Sequence, residues 1–367
     1  MKKCMLIALI VVFALVSVGA LCSADSLRRV TNTSKKGSLL VYPLIKVGPP
    51  GDGNDTIVFI ANDYPKKVHI KCQYATPKDC ACEPFSFNLT ANQSIAFSAK
   101  DGTDVKGNPL PRRINLVKFP SANGQYVGEL RCWATNPSGA YNISWNHLYG
   151  SAIVVEGDNQ TWEYSAWRFA VGYAVGWNNP VKDANNQNTD ILRLTGMPDT
   201  YDACPEKLIF NFINQVPNPD AGPYPAGQAE NRLTLIPCKQ DCVTTPVRAH
   251  FRIFDEYEND REEIACYDCD DNESAFFSKS LSDTTKFGVQ DWFVDLGTPG
   301  GMAIVENTPD GTCGETYGIP MLGVISNRFN GVDGPVAGES LTTLGRAQPY
   351  LTDADGKPTT IEVQMEH

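Results

Sequence analysis

Val68-His69-Ile70-Lys71-Cys72-Gln73-Tyr74 decides the fold class. Val68, Ile70, Cys72 and Tyr74 alternate with Lys67, His69, Lys71 and Gln73, a period of two that belongs to a half-buried strand. Cys72 therefore faces a core. The pattern repeats outward in both directions. Ser38 to Ile45 opens a strand run, and Thr56 to Asn62 is a near-continuous apolar strand. Leu130 and Cys132 share one face while Glu129 and Arg131 share the other. Ala152–Glu156, the turn at Gly157-Asp158-Asn159 and Thr161–Tyr173 form a hairpin. No segment here shows a helical period, so residues 37–178 are expected to form an immunoglobulin-like β-sandwich of six to nine strands.

The boundary falls in the turn-rich stretch from Asn178 to Asn188. Strands resume at Ile191–Leu194, Lys207–Phe212, Leu233–Ile236 and Val247–Phe254, then at Gln290–Leu296, Gly301–Glu306 and Leu322–Ser326. Residues 179–367 thus read as a second β domain. The expected fold class is all-β: two consecutive β-sandwich-like domains stapled by disulfides. With 30 Gly and 25 Pro, the composition suits many short strands joined by turns.

The N-terminus reads as a secretory signal. Lys2 and Lys3 precede an uncharged apolar stretch from Met5 to Ala20, and Cys22-Ser23-Ala24 offers a cleavage site before Asp25. A retained anchor and acylation of Cys22 are the alternatives. Leu21 is bulky where a lipoprotein signal wants a small residue. Residues 1–24 are therefore expected to be removed, 25–36 to form a flexible arm, and the mature chain to be secreted with no transmembrane anchor. Losing two lysines leaves 29 Lys+Arg against 42 Asp+Glu, a net charge of −13. Such a surface repels phosphate backbones and excludes nucleic acid as a partner.

Twelve cysteines less Cys4 and Cys22 leave ten. They divide evenly, into Cys72, Cys80, Cys82 and Cys132, and into Cys204, Cys238, Cys242, Cys266, Cys269 and Cys313, as two separately stapled domains require. Cys72 and Cys132 suit an inter-sheet bridge, with Trp133 beside them. Cys80 and Cys82 are too close to pair comfortably with each other. Cys266-Tyr267-Asp268-Cys269 is flanked by acids, which raise thiol pKa values and disfavour redox chemistry. Structural bridges are the expected role; a four-thiolate zinc site with Cys238 and Cys242 is the alternative.

Gly128-Glu129-Leu130-Arg131-Cys132-Trp133-Ala134, Ile143 to Gly150, Leu194-Thr195-Gly196, Tyr201 to Pro205 and Pro320 to Ile325 stand out as motifs. With Gly37 to Pro43 and Leu89 to Gln93, they resemble an uncharacterised family of secreted bacterial β-rich proteins. The resemblance implies export and a β fold. It implies no activity, cofactor or catalytic residue.

No catalytic motif is present. The four histidines, His69, His147, His250 and His367, lack a Gly-x-Ser-x-Gly or a His-Glu-x-x-His context. His69 and His250 sit at solvated strand parities, and His147 suits a structural hydrogen bond. No cofactor is expected. Besides the zinc alternative, Ca²⁺ is a candidate ion, because Asp183–Asp190 and Asp353-Ala354-Asp355-Gly356 resemble fragments of Ca²⁺ loops, though neither completes the ligand spacing. Trp145, Trp162, Trp167 and Trp177 belong to a tryptophan-rich stretch. Buried they build a core; exposed they stack on sugars. Seven Asn-x-Ser/Thr sequons matter only in a glycosylating host. The expected function is a non-enzymatic exported surface or matrix protein, structural or adhesive, with surface glycans or copies of itself as partners. A glycan-recognition module comes second and a secreted hydrolase third.

Overall fold

The structure is a computed structural model. It describes residues 29–75, 82–103, 126–157, 160–172, 179–183, 185–213, 229–238, 247–255, 258–267, 277–280, 300–307, 311–313, 317–329, 337–340, 342–348, 350–353, 358–360 and 362–363. All regular structure among them is β. The N-terminal half carries β1 (Leu39–Val47), β2 (Asp55–Asn62), β3 (Val68–Ala75), β4 (Cys82–Leu89), β5 (Ser94–Ser98), β6 (Tyr126–Thr135), β7 (Leu148–Val155), β8 (Thr161–Ser165) and β9 (Trp167–Phe169). The C-terminal half continues with β10 (Leu192–Arg193), β11 (Cys204–Ile213), β12 (Ala229–Pro237), β13 (Val247–Asp255), β14 (Asp260–Tyr267), β15 (Phe277–Ser280) and β16 (Gly300–Glu306). It ends with β17 (Tyr317–Gly318), β18 (Met321–Phe329), β19 (Ala337–Ser340), β20 (Thr342–Gln348), β21 (Tyr350–Asp353), β22 (Pro358–Thr360) and β23 (Glu362–Val363).

The first half is an antiparallel sandwich. A five-stranded sheet in the order β4-β3-β6-β1-β9 faces a four-stranded sheet in the order β5-β2-β7-β8. Leu40, Tyr42, Ile70, Cys72, Tyr74 and Leu130 of one meet Val58, Ile60, Ala152, Val154, Trp162 and Tyr164 of the other. The hairpin read from Gly157-Asp158-Asn159 is β7–β8, closing with Val155 opposite Thr161. Pro43 cannot donate to a ladder, and the β1–β6 register shifts between Tyr42 and Ile45, where a bulge accommodates it. Tyr164 reaches across from the facing sheet and satisfies both the N–H and the carbonyl of Leu44 at that bulge.

The second half repeats the plan. A five-stranded sheet, β14-β13-β16-β11-β20, pairs with a four-stranded sheet, β15-β12-β18-β19. Leu208, Phe210, Phe212, Phe251, Ile253 and Val305 lie against Leu233, Leu235 and Ile325. The expected strand at Gln290–Leu296 lies outside the described residues.

Three corrections follow. Cys72 and Cys132 are bonded, but they sit directly opposite one another on the neighbouring strands β3 and β6, with Cα atoms 4.1 Å apart. The bridge is therefore within one sheet, so the inter-sheet pin of an immunoglobulin domain is not what joins these cysteines. Strand parity alone could not show this, because two inward-facing cysteines satisfy either arrangement. Second, residues 29–36 are not a loose arm. Val30 bridges Ala203 and Asn32 bridges Arg168, with Thr31 N–H donating to Ala203 at 2.9 Å. Third, Cys238 is bonded to Cys204 and Cys266 to Cys313, which takes apart the four-thiolate set proposed for zinc. Cys80, Cys242 and Cys269 lie outside the described residues, and only the backbone of Cys82 is described.

Candidate functional site

The most unusual chemistry lies where the two sandwiches meet. β1 is buried along almost its whole length because both its faces are covered. Leu40 and Tyr42 point into the N-terminal sandwich; Leu39 and Val41 point the other way. Leu39, Val41, Trp133, Trp167 and Phe169 merge with Leu192, Leu194, Ile236, Cys238 and Leu322 into one apolar cluster. A small cavity at this seam is lined by Leu39, Val41, Arg131, Phe169, Leu192, Leu194, Ile236, Pro237, Cys238 and Leu322. The indole N–H of Trp167 donates to the carbonyl of Gly323 at 3.1 Å, fixing one half to the other.

Two charged groups are sealed into the same region. Glu129 and Arg131 lie two residues apart on β6, hence on one face, with Arg131 Nη2 2.6 Å from Glu129 Oε1. The Glu129 side chain is fully buried, and burial raises its carboxyl to a pKa of about 7 despite the guanidinium beside it. Asp202 is the second. Its carboxylate, also without exposure, lies 3.0 Å from Arg29 and pairs with Lys35. It also accepts the Ala170 N–H at 2.8 Å. Burial raises the Asp202 pKa, and the two cations pull against that rise. Arg29 further donates to the carbonyls of Ala170, Met197 and Thr200, so one side chain clamps two backbone segments, at Ala170 and at the Met197–Thr200 turn. Gly196 permits this packing. Its φ of +71° suits glycine, and a Cβ there would come within 2.7 Å of the Arg29 carbonyl.

The motif segments converge here. Glu129, Arg131 and Trp133 come from the first, Gly196 and Asp202 from the next two, and Leu322 and Gly323 from the last. Trp145 and Asn146 add the polar side of the seam. Asn146 bonds both the N–H and the carbonyl of Val171 and accepts the Ser38 hydroxyl. The indole N–H of Trp145 donates to Asn62 Oδ1 at 2.9 Å. Sequence reasoning singled out these segments, Asp202 among them, but not Arg29 and Lys35, the cations that pair with it. Arg29 and Asp202 stand far apart in the chain, and nothing local marks their pairing.

The remaining candidates fall as follows. Trp145, Trp162 and Trp167 are buried at 1%, 4% and 0% exposure, so none offers a ring face to a sugar, which corrects the stacking reading for these three. Trp177 lies outside the described residues. His147 donates through Nδ1 to the Asp63 carboxylate at 3.0 Å and packs on Tyr64, the structural role expected for it. Burial acts to raise Asp63, but hydrogen bonds from Lys36 and His147 outweigh it and hold the carboxyl below its ordinary value. His250 lies between Glu262 and Glu306 rather than on a freely solvated face. The Asp183 carboxylate caps its own turn, accepting the N–H groups of Asn185 and Gln187. Asp353–Gly356 has no described side chains. Among the described residues no cluster of side chains has the grouping of a metal site, and no helix is long and apolar enough to cross a membrane. Asn54 and Asn142, two sequon positions, are buried.

The fold and seam define a disulfide-bonded double β-sandwich. No family model matches the chain, and no curated protein matches it. Among solved structures it has a likeness to the naturally occurring empty particles, or top component, of cowpea mosaic virus. Identity is 8%, coverage is 89% of this chain and 95% of that one, and the TM-score is 0.18. A score that low carries no argument about fold or function.

Proposed function

We propose that this is a non-enzymatic exported protein of the cell surface or extracellular matrix, structural or adhesive in role. It would belong with the uncharacterised secreted bacterial β-proteins that its motifs resemble. One observation carries the reading: the two sandwiches share a continuous apolar cluster that crosses the seam. A shared core resists relative motion of the halves, whereas lids and hinged clefts need weak, polar interfaces. The buried Asp202 carboxylate, paired with the part-exposed Arg29 and Lys35, extends that rigidity by tying the N-terminal segment across the seam. Bridges at Cys72–Cys132, Cys204–Cys238 and Cys266–Cys313 suit an oxidising compartment.

Two measurements on the source cells test this. Fractionation with N-terminal sequencing should find the chain outside the cytoplasm, starting near Leu21 or Asp25. Cells lacking the gene should lose attachment or cohesion under shear. A cytoplasmic chain with Met1 intact, or mutant cells that withstand shear as well as the parent, would overturn the proposal.

A further inference from the structure

The outer face of the four-stranded sheet β5-β2-β7-β8 carries an apolar surface that no other sheet covers among the described residues. On β2, Val58 and Ile60 enter the core while Ile57 and Phe59 point outward and are half-buried. On β7, Ala152 and Val154 enter the core; Tyr149 is 42% exposed, and Ile153 and Val155 are half-buried. The register places these residues side by side: Ile57 opposite Ile153, Ala61 opposite Tyr149, and Phe59 opposite both Ser151 and Ala96. Strands that are apolar on both faces are ordinarily covered on both. Among the described residues, the strands in substantial contact with β2 and β7 are their own sheet neighbours and β1, which lies on the core side, while β19 abuts the edge strand β8.

Its charges sit at the margin and are partly spoken for. The Asp55 carboxylate accepts from the Ser98 hydroxyl at 2.6 Å and from the Lys100 N–H at 3.0 Å. Glu163 lies on the edge strand β8, opposite Ile153. The centre is Ile57, Phe59, Ser151 and Ile153, without a charge.

We propose that this face binds a second copy of the same chain, sheet against sheet, about a two-fold axis near Ser151. The proposal names a partner for the structural role above and rests on that reading. Area decides for a second copy. At about 4.8 Å between strands and 3.4 Å per residue, the four strands present about 400 Å² in projection. Side chains corrugate such a face, so two copies together remove about 1,000 Å², the lower bound for a specific interface. Two sheets of equal width and twist stack with their apolar side chains interleaved, as they do inside a sandwich. The mature chain's net charge of −13, from 29 Lys+Arg against 42 Asp+Glu, opposes association, so the dimer should be weak and should tighten with added salt.

Sedimentation velocity on the purified mature protein tests this in solution, apart from any cellular role. The mass should rise from monomer to dimer over about a hundredfold range of concentration, and the dimer fraction should grow with salt. Ile153→Lys should abolish dimerisation. Tyr149→Lys, at an exposed position that cannot endanger the core, should weaken it at least tenfold. Ser151→Cys, close to the axis, should give a disulfide-linked dimer on a non-reducing gel. A monomer at every concentration, assembly that continues past the dimer, or dimerisation indifferent to both lysine variants would overturn the proposal. So would a monomer whose melt is raised by a polysaccharide in the parent but not in Tyr149→Lys, since the face would then serve a glycan. A confirmed monomer whose loss still weakens cell attachment would sink the dimer alone.

Discussion

Replacing Glu129 by Gln tests how the seam handles a buried charge. In the folded protein the carboxyl has a pKa of about 7, against an ordinary value of 4.5. Burial favours the neutral acid and outweighs the attraction of Arg131. Between those two pH values the native state keeps a proton that the unfolded chain has released. Stability is therefore fully present below about pH 4.5 and declines as pH rises, by about 1.4 kcal/mol per unit, until the folded group ionises near pH 7. The whole loss amounts to about 3 kcal/mol. The amide of the Glu129→Gln variant cannot ionise and resembles the protonated side chain in shape. Urea unfolding followed by tryptophan fluorescence, in steps across that window, gives the assay. Other groups titrate in both proteins, so the difference between parent and variant isolates this one. The parent should lose its margin over Glu129→Gln progressively as pH rises. A difference that stays flat, or that moves in the parent's favour with pH, would refute the account of a neutral buried acid.

Other perturbations bear on the same architecture. Removing the Cys72–Cys132 bridge as a double alanine variant frees a loop of 60 residues and should cost about 4 kcal/mol in the chain-entropy account, read from urea midpoints. Trp167→Ala empties the seam and deletes the bond to Gly323, so it should cost about 3–5 kcal/mol. A surface tryptophan would cost far less and would contradict its burial. Asp202→Asn leaves the part-exposed Arg29 and Lys35 without their carboxylate, and because those charges keep contact with water the cost should be about 1–2 kcal/mol. The substitution should also speed amide hydrogen exchange at Thr31 and Ala203, whose N–H groups pair across that contact. Unchanged exchange there would mean that backbone pairing alone holds the strap.

Much of the fold was legible because its signals are local. Val68, Ile70, Cys72 and Tyr74 are core residues of one strand, as alternation requires. Gly157 closes the hairpin that its turn chemistry announced. The tryptophans read as core or ligand platform equally well, because an indole carries no mark of the face it will take. Only the partners brought by other segments, such as Asn62 for Trp145 and Gly323 for Trp167, resolve that choice.

By itself, then, the sequence determined an all-β chain with its cysteines available for structural bridges, since strand period, turn residues and cysteine number are properties of short segments. Tertiary structure decided which cysteines meet, that the N-terminal segment is bound rather than loose, and that Glu129 and Asp202 are sealed inside a common seam. Those facts depend on contacts between residues distant in the chain. Arg29 and Asp202 have no neighbours in sequence that betray their pairing, and a carboxylate acquires an unusual pKa only when other segments exclude water from it.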